Sequence, residues 1–370
     1  MALLFCDGFD AYTQASDLTA KGWISGSSQS AIDPLVGWNA SGGAYGGGGV
    51  ALGPSSNNVS MLVQAFTFTT GMTLNTACMF RQPIYPTNTI TAGNMWGGLM
   101  NLGTAAPVNG GSNSRALFFF TSAGLIQFAP YENNTLTTTG THDVCDGNWH
   151  WIEMQVVLTS AATGSVTVYV DGELDLQLTG ISTMLSLLDK PYGTIGFGAV
   201  ANLGQKAVTS CYDDFIVWDN TGDTFNTFPI GQKRIYTGKP SGAGSSSQFT
   251  PSSGSNYAIA AQGYSGSGIL TASVPGKLDL YSTNILNGAN PVDIDAVVLN
   301  TYAKNAGSTG AGFLTPTLQS NGVTQAGSRI QVTASPVNYR STFLVDANGN
   351  PWSKASIDAL QFGVESGYGN

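Results

Sequence analysis

Few side chains in this 370-residue chain are equipped for chemistry. It holds 22 Asp and Glu, 13 Lys and Arg, and two histidines, His142 and His150. Glu173 and Asp175 recur at the two-residue spacing of a strand, with Glu153 on the strand two before. Paired carboxyl groups about 5 Å apart can act as acid and nucleophile at a glycosidic bond. Their alternation with Leu174, Leu176 and Leu178 gives a plainer reading, the solvated face of a half-buried antiparallel strand. Glu153 reads the same way. His150, between Trp149 and Trp151, reads as a packed, hydrogen-bonded strand residue. With two histidines, no G-x-S-x-G elbow and no ordered Ser/Asp partner, no nucleophilic triad can be built. No catalytic residue is assigned, and the expectation is a non-enzymatic protein.

Metal and cofactor chemistry is equally sparse, and no cofactor or metal site is assigned. Cys6, Cys78, Cys145 and Cys211 are far apart without a C-x-x-C, which argues against zinc. The opening MALLFCDGFD has neither the basic region of a signal peptide nor the length of a membrane anchor. Synthesis in a cytoplasm, with buried free thiols, is therefore expected. The sequons at Asn39, Asn58 and Asn133 carry no weight without secretion. Asp213 and Asp214, neighbours in a strand, are expected on opposite faces and so unable to share one ion. The run Gly42-Gly43-Ala44-Tyr45-Gly46-Gly47-Gly48-Gly49 lacks the Lys and Ser/Thr of a phosphate loop. It reads as a tight loop or a close backbone crossing. Trp38, Tyr45, Trp96, Tyr131 and Tyr192, in or beside loops, are candidate sugar platforms, and none is singled out as a site.

Short strands must position these groups. Residues 149–178 read as three antiparallel strands with Ile152, Met154, Val156 and Leu158, then Val166, Val168 and Val170, then Leu174, Leu176 and Leu178 turned inward. Asp171-Gly172 is the hairpin turn between the last two. Further strands are predicted at 60–68, 73–81, 95–102, 115–121, 124–130, 193–199 and 210–218. This spacing predicts an all-β sandwich or jelly roll over 1–233. A linker is predicted at 234–248 and a second, smaller β domain at 249–370, for docking or display. In that domain strands are expected at 256–261, 268–274, 278–282, 292–302, 312–319, 328–334 and 339–345, then a helical turn capped by Ser353 and a last strand.

Charged residues make up 9 % of the chain, against roughly 25 % in an average soluble protein. An apolar content of 42 %, with 7 Trp, 14 Tyr and 17 Phe, argues for buried cores and against disorder. With a net charge of −9 and one adjacent basic pair, Lys233-Arg234, the chain cannot neutralise a phosphate backbone, so no nucleic-acid partner is expected. No membrane partner is expected either.

The block DGNWHWIEMQV…TGSVTVYVDGELDLQLTG resembles the concanavalin A-like, or laminin-G-like, jelly roll. The flanks LLFCDGFDAY and CYDDFIVWDNTGD…FPIGQKRI match its outer pieces, so the resemblance covers about 1–233. It implies that the flanks pair, bringing Cys6 near Cys211, close enough to bond, and Asp7 near Asp10 as contributors to a Ca²⁺ site. Turn capping by these two Asp side chains is the favoured alternative. Relatives that degrade glycans carry E-x-D-x-x-E on one strand face; here the nearest match, from Glu173, has Leu178 at its third acidic position. A jelly roll followed by a β region ending in GNPWSKASIDALQFGVE also resembles a set of bacteriophage virion proteins. That resemblance implies a tail-fibre, tail-tip or capsid-decoration component, assembled in the host cytoplasm into the virion. Its implied partners are other virion proteins, copies of itself and host surface glycans. The alternatives are a carbohydrate-binding module without a virion role and a diverged glycan depolymerase.

Overall fold

The computed structural model describes residues 3–25, 36–52, 59–66, 71–82, 98–103, 114–121, 123–130, 138–159, 161–183, 194–200, 210–222, 226–286, 288–307 and 312–368. The chain is nearly all β and divides into two compact units, Met1–Ile235 and Tyr236–Asn370. No helix among the described residues is long and apolar enough to cross a membrane.

The first unit opens with β1 (Leu3–Asp7), the short helix α1 (Asp17–Ala20), β2 (Ile24–Ser25), β3 (Val36–Asn39), β4 (Gly49–Leu52) and β5 (Val59–Ala65). It continues with β6 (Thr73–Arg81), β7 (Gly98–Gly103), β8 (Ser114–Phe120), β9 (Leu125–Pro130) and β10 (Thr138–Asp143). Then come β11 (His150–Val157), β12 (Gly164–Val170), β13 (Glu173–Ile181), β14 (Thr194–Val200) and β15 (Ser210–Asp219). One sheet runs β13-β12-β11-β6-β15-β4-β3, with β1 also on β15; the other runs β10-β9-β8-β7-β14-β5-β2. Aromatic side chains fill the space between them. Phe80 stacks on Phe120 at 4.8 Å and Phe197 on Tyr212 at 4.2 Å, each pair joining the two sheets. Trp23 is packed among Phe5, Phe9, Phe197 and Phe215. Burying each such side chain contributes about 2–3 kcal/mol. This is the expected all-β sandwich of two packed antiparallel sheets.

The hairpin turn forms as read, with Asp171 and Gly172 at φ 51° and 88°, the pair of positive values a two-residue turn requires. The outer flanks pair as well, but Cys6 lies opposite Ile216. Cys211 is five residues further along β15, roughly 17 Å away at strand rise. All four cysteines are free. The implied Cys6–Cys211 contact is thus corrected: the strands pair in a register that separates the thiols.

The second unit holds β16 (Pro240–Ser247), β17 (Thr250–Pro251), α2 (Asn256–Ala260), β18 (Leu270–Thr271), β19 (Leu278–Thr283) and β20 (Val297–Ala303). After these come β21 (Gly312–Ser320), β22 (Val323–Ala326), β23 (Ile330–Val332), β24 (Val337–Phe343), α3 (Lys354–Asp358) and β25 (Gln361–Tyr368). The main sheet is β16-β19-β25-β21-β22, with β23 also on β21, and β20 and β24 form a separate ribbon. Leu286, Leu299, Leu318, Phe343, Trp352, Ile357 and Leu360 make its core. Pro316 is tolerated in β21 because it falls between the stretch paired with β23 and the stretch paired with β22, where no N–H is required.

Two expectations fail here. The predicted linker 234–248 contains β16, whose Gly and Ser side chains alternate as a strand does. Gly244 lies flat against Leu280, where a Cβ would come within 2.6 Å of backbone. The predicted strand 256–261 is instead α2, held at its start by Asn256, whose amide donates to Asp279 Oδ2 and Phe249 O.

Candidate functional site

The acidic residues suggested by sequence are dispersed, and the buried ones, Glu153 and Asp175, have structural tasks. Glu153, expected on a solvated face, is fully buried. The segment after β15 crosses over it, and Ile230 N–H donates to Glu153 Oε1 at 2.7 Å. Burial pushes its carboxyl up, partly offset by that N–H. Strand β11 is therefore covered on both faces, which period-two alternation alone could not reveal.

Glu173 is exposed, but Asp175 is 7 % exposed and Leu174 48 %, the reverse of the expected facing. The cause is a bulge. Tyr169 pairs with Leu174 and Val168 with Leu176, so Asp175 is an extra residue turned toward the core side. Asp175 Oδ1 accepts from Thr141 N–H (2.6 Å) and His142 N–H (2.8 Å) and lies 2.9 Å from His142 Nδ1. It ties β13 of one sheet to β10 of the other. Leu178 is half-buried, and no pair of acids forms across this strand face.

His150 Nδ1 lies 2.7 Å from Asp171 Oδ2 and Nε2 3.0 Å from Asp146 Oδ1. Both contacts are hydrogen bonds only when both nitrogens carry protons. Burial works against that charge, but the two carboxylates outweigh it and raise the imidazole pKa. Next to it, the Arg81 guanidinium lies 5.0 Å from the centroid of the Trp149 ring.

Asp7 is engaged within the protein. Its carboxylate accepts from Phe9 N–H, Tyr12 O–H and Trp23 Nε1–H and pairs with Lys21 Nζ at 3.0 Å. The turn-capping alternative describes it, extended by a buried ion pair. Among the described residues no three His, Cys, Asp or Glu side chains converge as a metal-ligand set.

The arrangement with most chemical content surrounds the glycine run on the outer side of β15. Asp214 has φ 48° and lies in a bulge between Asp213 and Ile216. Both side chains are buried, and each holds a different segment, Asp213 the glycine turn and Asp214 the stretch ending at Ile235. Asp213 Oδ2 accepts from Ala44 N–H and Asp214 Oδ1 from Ile235 N–H, each at 2.8 Å. Asp10 Oδ1 accepts from Gly48 N–H at 2.5 Å. Burial pushes Asp213 up to about 7, against the N–H groups of Ala44 and Asp214. Burial and then the Asp213 charge push Asp214 up to about 8. Glycine is required in this turn, since a Cβ on Gly48 would sit 2.3 Å from Phe9 O. It is the close backbone crossing that the sequence suggested.

On top of this turn stands Tyr45, 39 % exposed. The Arg234 guanidinium lies 4.5 Å from its ring centroid, and Gln232 Nε2 donates to its hydroxyl. Trp38, half-buried, donates its Nε1–H to Phe9 O under the same turn. Trp96, Tyr131 and Tyr192 lie outside the described residues. Sequence reading found Tyr45 as a candidate but missed Gln232 and Arg234. The basic pair Lys233-Arg234 was visible, and only the backbone path showed what Arg234 covers.

No protein-family model matches the sequence, and a search of curated proteins gives no match. Solved structures are similar in fold. An endo-β-1,4-glucuronan lyase from the fungus Trichoderma reesei is 12 % identical over 56 % of this chain and 95 % of its own, with a TM-score of 0.39. A carbohydrate esterase from the Shiga toxin-encoding bacteriophage phi24B is 16 % identical over 60 % of this chain and 100 % of its own, with a TM-score of 0.38. An alginate lyase of polysaccharide lyase family 7 is 10 % identical over 56 % of this chain and 99 % of its own, with a TM-score of 0.35. The expectation of a non-enzymatic chain is corrected on these neighbours, which are enzymes.

Proposed function

We propose that this protein recognises glycans through the Tyr45 patch of its first unit. The observation behind this reading is an exposed aromatic ring flanked by a guanidinium and an amide, on a turn held by the carboxylates of Asp213 and Asp10. An aromatic face offers the C–H face of a sugar an apolar platform, with the polar groups of Arg234 and Gln232 beside it. The pinned turn lowers the ordering cost of binding. The fold neighbours, which include a glucuronan lyase, an alginate lyase and a carbohydrate esterase, are consistent with a glycan-related role.

The test is a glycan array probed with the full chain and with Tyr45→Ala, each also assayed for release of new chain ends from the retained glycans. Retention by the native chain and a roughly tenfold loss in the variant, at unchanged melting temperature, is expected. Equal retention by both proteins, or none by the native chain, would remove the patch from the function. Release of chain ends would make the patch part of an enzyme.

The setting we propose is a phage virion, on the strength of residues 349–365 and the jelly-roll flanks. Antibody–gold labelling of intact particles should decorate the tail or the head, and unlabelled particles would end that reading.

A further inference from the structure

The buried ion pair near the start of the chain holds the parts of a condensation. Asp7 ends β1 and Lys21 follows α1, and their side chains are 1 % and 6 % exposed. Lys21 Nζ lies 3.0 Å from Asp7 Oδ1. An ammonium has three protons to place, yet among the described residues Asp7 Oδ1 is the one polar partner of Nζ. Its other neighbours are the rings of Phe5 and Tyr12, with centroids 5.8 and 5.9 Å away. The second carboxyl oxygen, Oδ2, accepts from Tyr12 O–H and from Trp23 Nε1–H, the latter at 2.7 Å. Phe9 N–H donates to Oδ1 at 2.9 Å. Phe5, Phe9, Tyr12 and Trp23 are all buried and wall the pair off from water.

We infer that Lys21 and Asp7 become joined by an amide bond that the fold itself forms. Holding two full charges out of water is costly, and condensation removes both. The step balances within the pair. Nζ passes one proton to Oδ1 across the contact they share, and its lone pair attacks Cγ, one bond beyond. The negative charge that develops on Oδ2 falls on Tyr12 O–H and Trp23 Nε1–H, which serve as an oxyanion hole. A second proton then passes from Nζ to Oδ1. The Cγ–Oδ1 bond breaks, its electron pair leaves with the oxygen as water, and the carbonyl re-forms at Oδ2. One proton stays on the amide nitrogen, and no oxidant, reductant or cofactor is consumed. The aromatic wall keeps bulk water from reversing the step. The product is a covalent ring from residue 7 to residue 21, which fastens the end of β1 where it pairs with β15. Nothing in this reading depends on the Tyr45 patch.

The experiment is intact-mass spectrometry of the full chain, followed by trypsin digestion after denaturation. The native chain should weigh one water less than its sequence requires. Lys21 is the first basic residue and Arg81 the second, so 1–81 should survive digestion as a single peptide, also one water light. Lys21→Arg should have its full sequence mass and be cut after residue 21. Asp7→Asn keeps the electrophile but releases ammonia in place of water, so its product should weigh the same as the native one. Tyr12→Phe removes one donor to Oδ2 and should slow the mass loss at least tenfold in chain freshly made by cell-free synthesis. A circular-dichroism melt of each variant separates misfolding from lost chemistry. A native chain of full sequence mass that is cut after Lys21, or a water loss that persists in Lys21→Arg, would overturn the inference.

Discussion

His150 and the Asp213–Asp214 pair give this protein two responses to pH that run in the same direction, stability falling as pH rises. The His150 imidazole has its pKa raised in the fold by Asp171 and Asp146 against the effect of burial. Its stabilisation is complete below the unfolded value of about 6.5 and disappears as pH rises through the folded value. His150→Gln should cost about 1 kcal/mol at pH near 5.5, a figure kept low because Asp171 and Asp146 are largely solvent-screened, and the cost should shrink at alkaline pH in urea titrations. The aspartates behave in the reverse sense to an ordinary acid. With folded values pushed up to about 7 and about 8, the native state holds protons that the unfolded chain has already lost above about 4. Stability is therefore given up between about pH 4 and pH 8. Asp214→Asn keeps an oxygen for Ile235 N–H and removes the charge. It should raise the melting temperature by about 1–3 °C at pH 8 and leave it unchanged at pH 4; an equal shift at both values would deny the pair its buried charge.

Among the elements, the strands with strict alternation were legible in sequence, and those shaped by bulges were not. The turn at Asp171-Gly172 and strands β11 and β12 follow from local chemistry alone, as does α3, whose Ser353 accepts from Ser356 N–H while Ser353 N–H donates to Ser356 Oγ. Ser353→Ala should cost about 1 kcal/mol in chemical denaturation. The bulges at Asp175 and Asp214 could not be read, because an inserted residue changes facing without changing composition. For the same reason the patch around Tyr45 was half visible: the aromatic was apparent, but the crossing of segment 229–235 that brings Gln232 and Arg234 to it is a long-range event. Strand β16 was missed because PSGAGSSS has linker composition, and its pairing depends on smallness against Leu280 and Gln361. In the turn that carries the patch, Gly48→Ala should lower stability by about 2 kcal/mol, since neither Phe9 O nor Trp38 can withdraw easily.

For the molecule as a whole, the two units have separate cores, and the boundary between them lies at 235/236. A fragment spanning 236–370 should melt cooperatively by calorimetry. One beginning at 249, where composition places the second domain, lacks β16 and leaves the edge of β19 unpaired. It should melt lower and aggregate at that bare edge. Equal melting temperatures for the two fragments would show that β16 adds nothing to the sheet.

The crossing segment is held by carboxylates that grip main-chain N–H groups, Ile230 through Glu153 and Ile235 through Asp214. Such anchors are blind to the side chains they hold. Surface positions along 230–235 are therefore free to diversify under selection while the acids beneath stay fixed. A saturation library across the exposed positions of this segment, with Glu153 and Asp214 included for comparison, would retain folded variants at most segment positions but, at the two acids, chiefly those that keep an acceptor oxygen for the main chain, making the segment the natural place to retune what the patch binds.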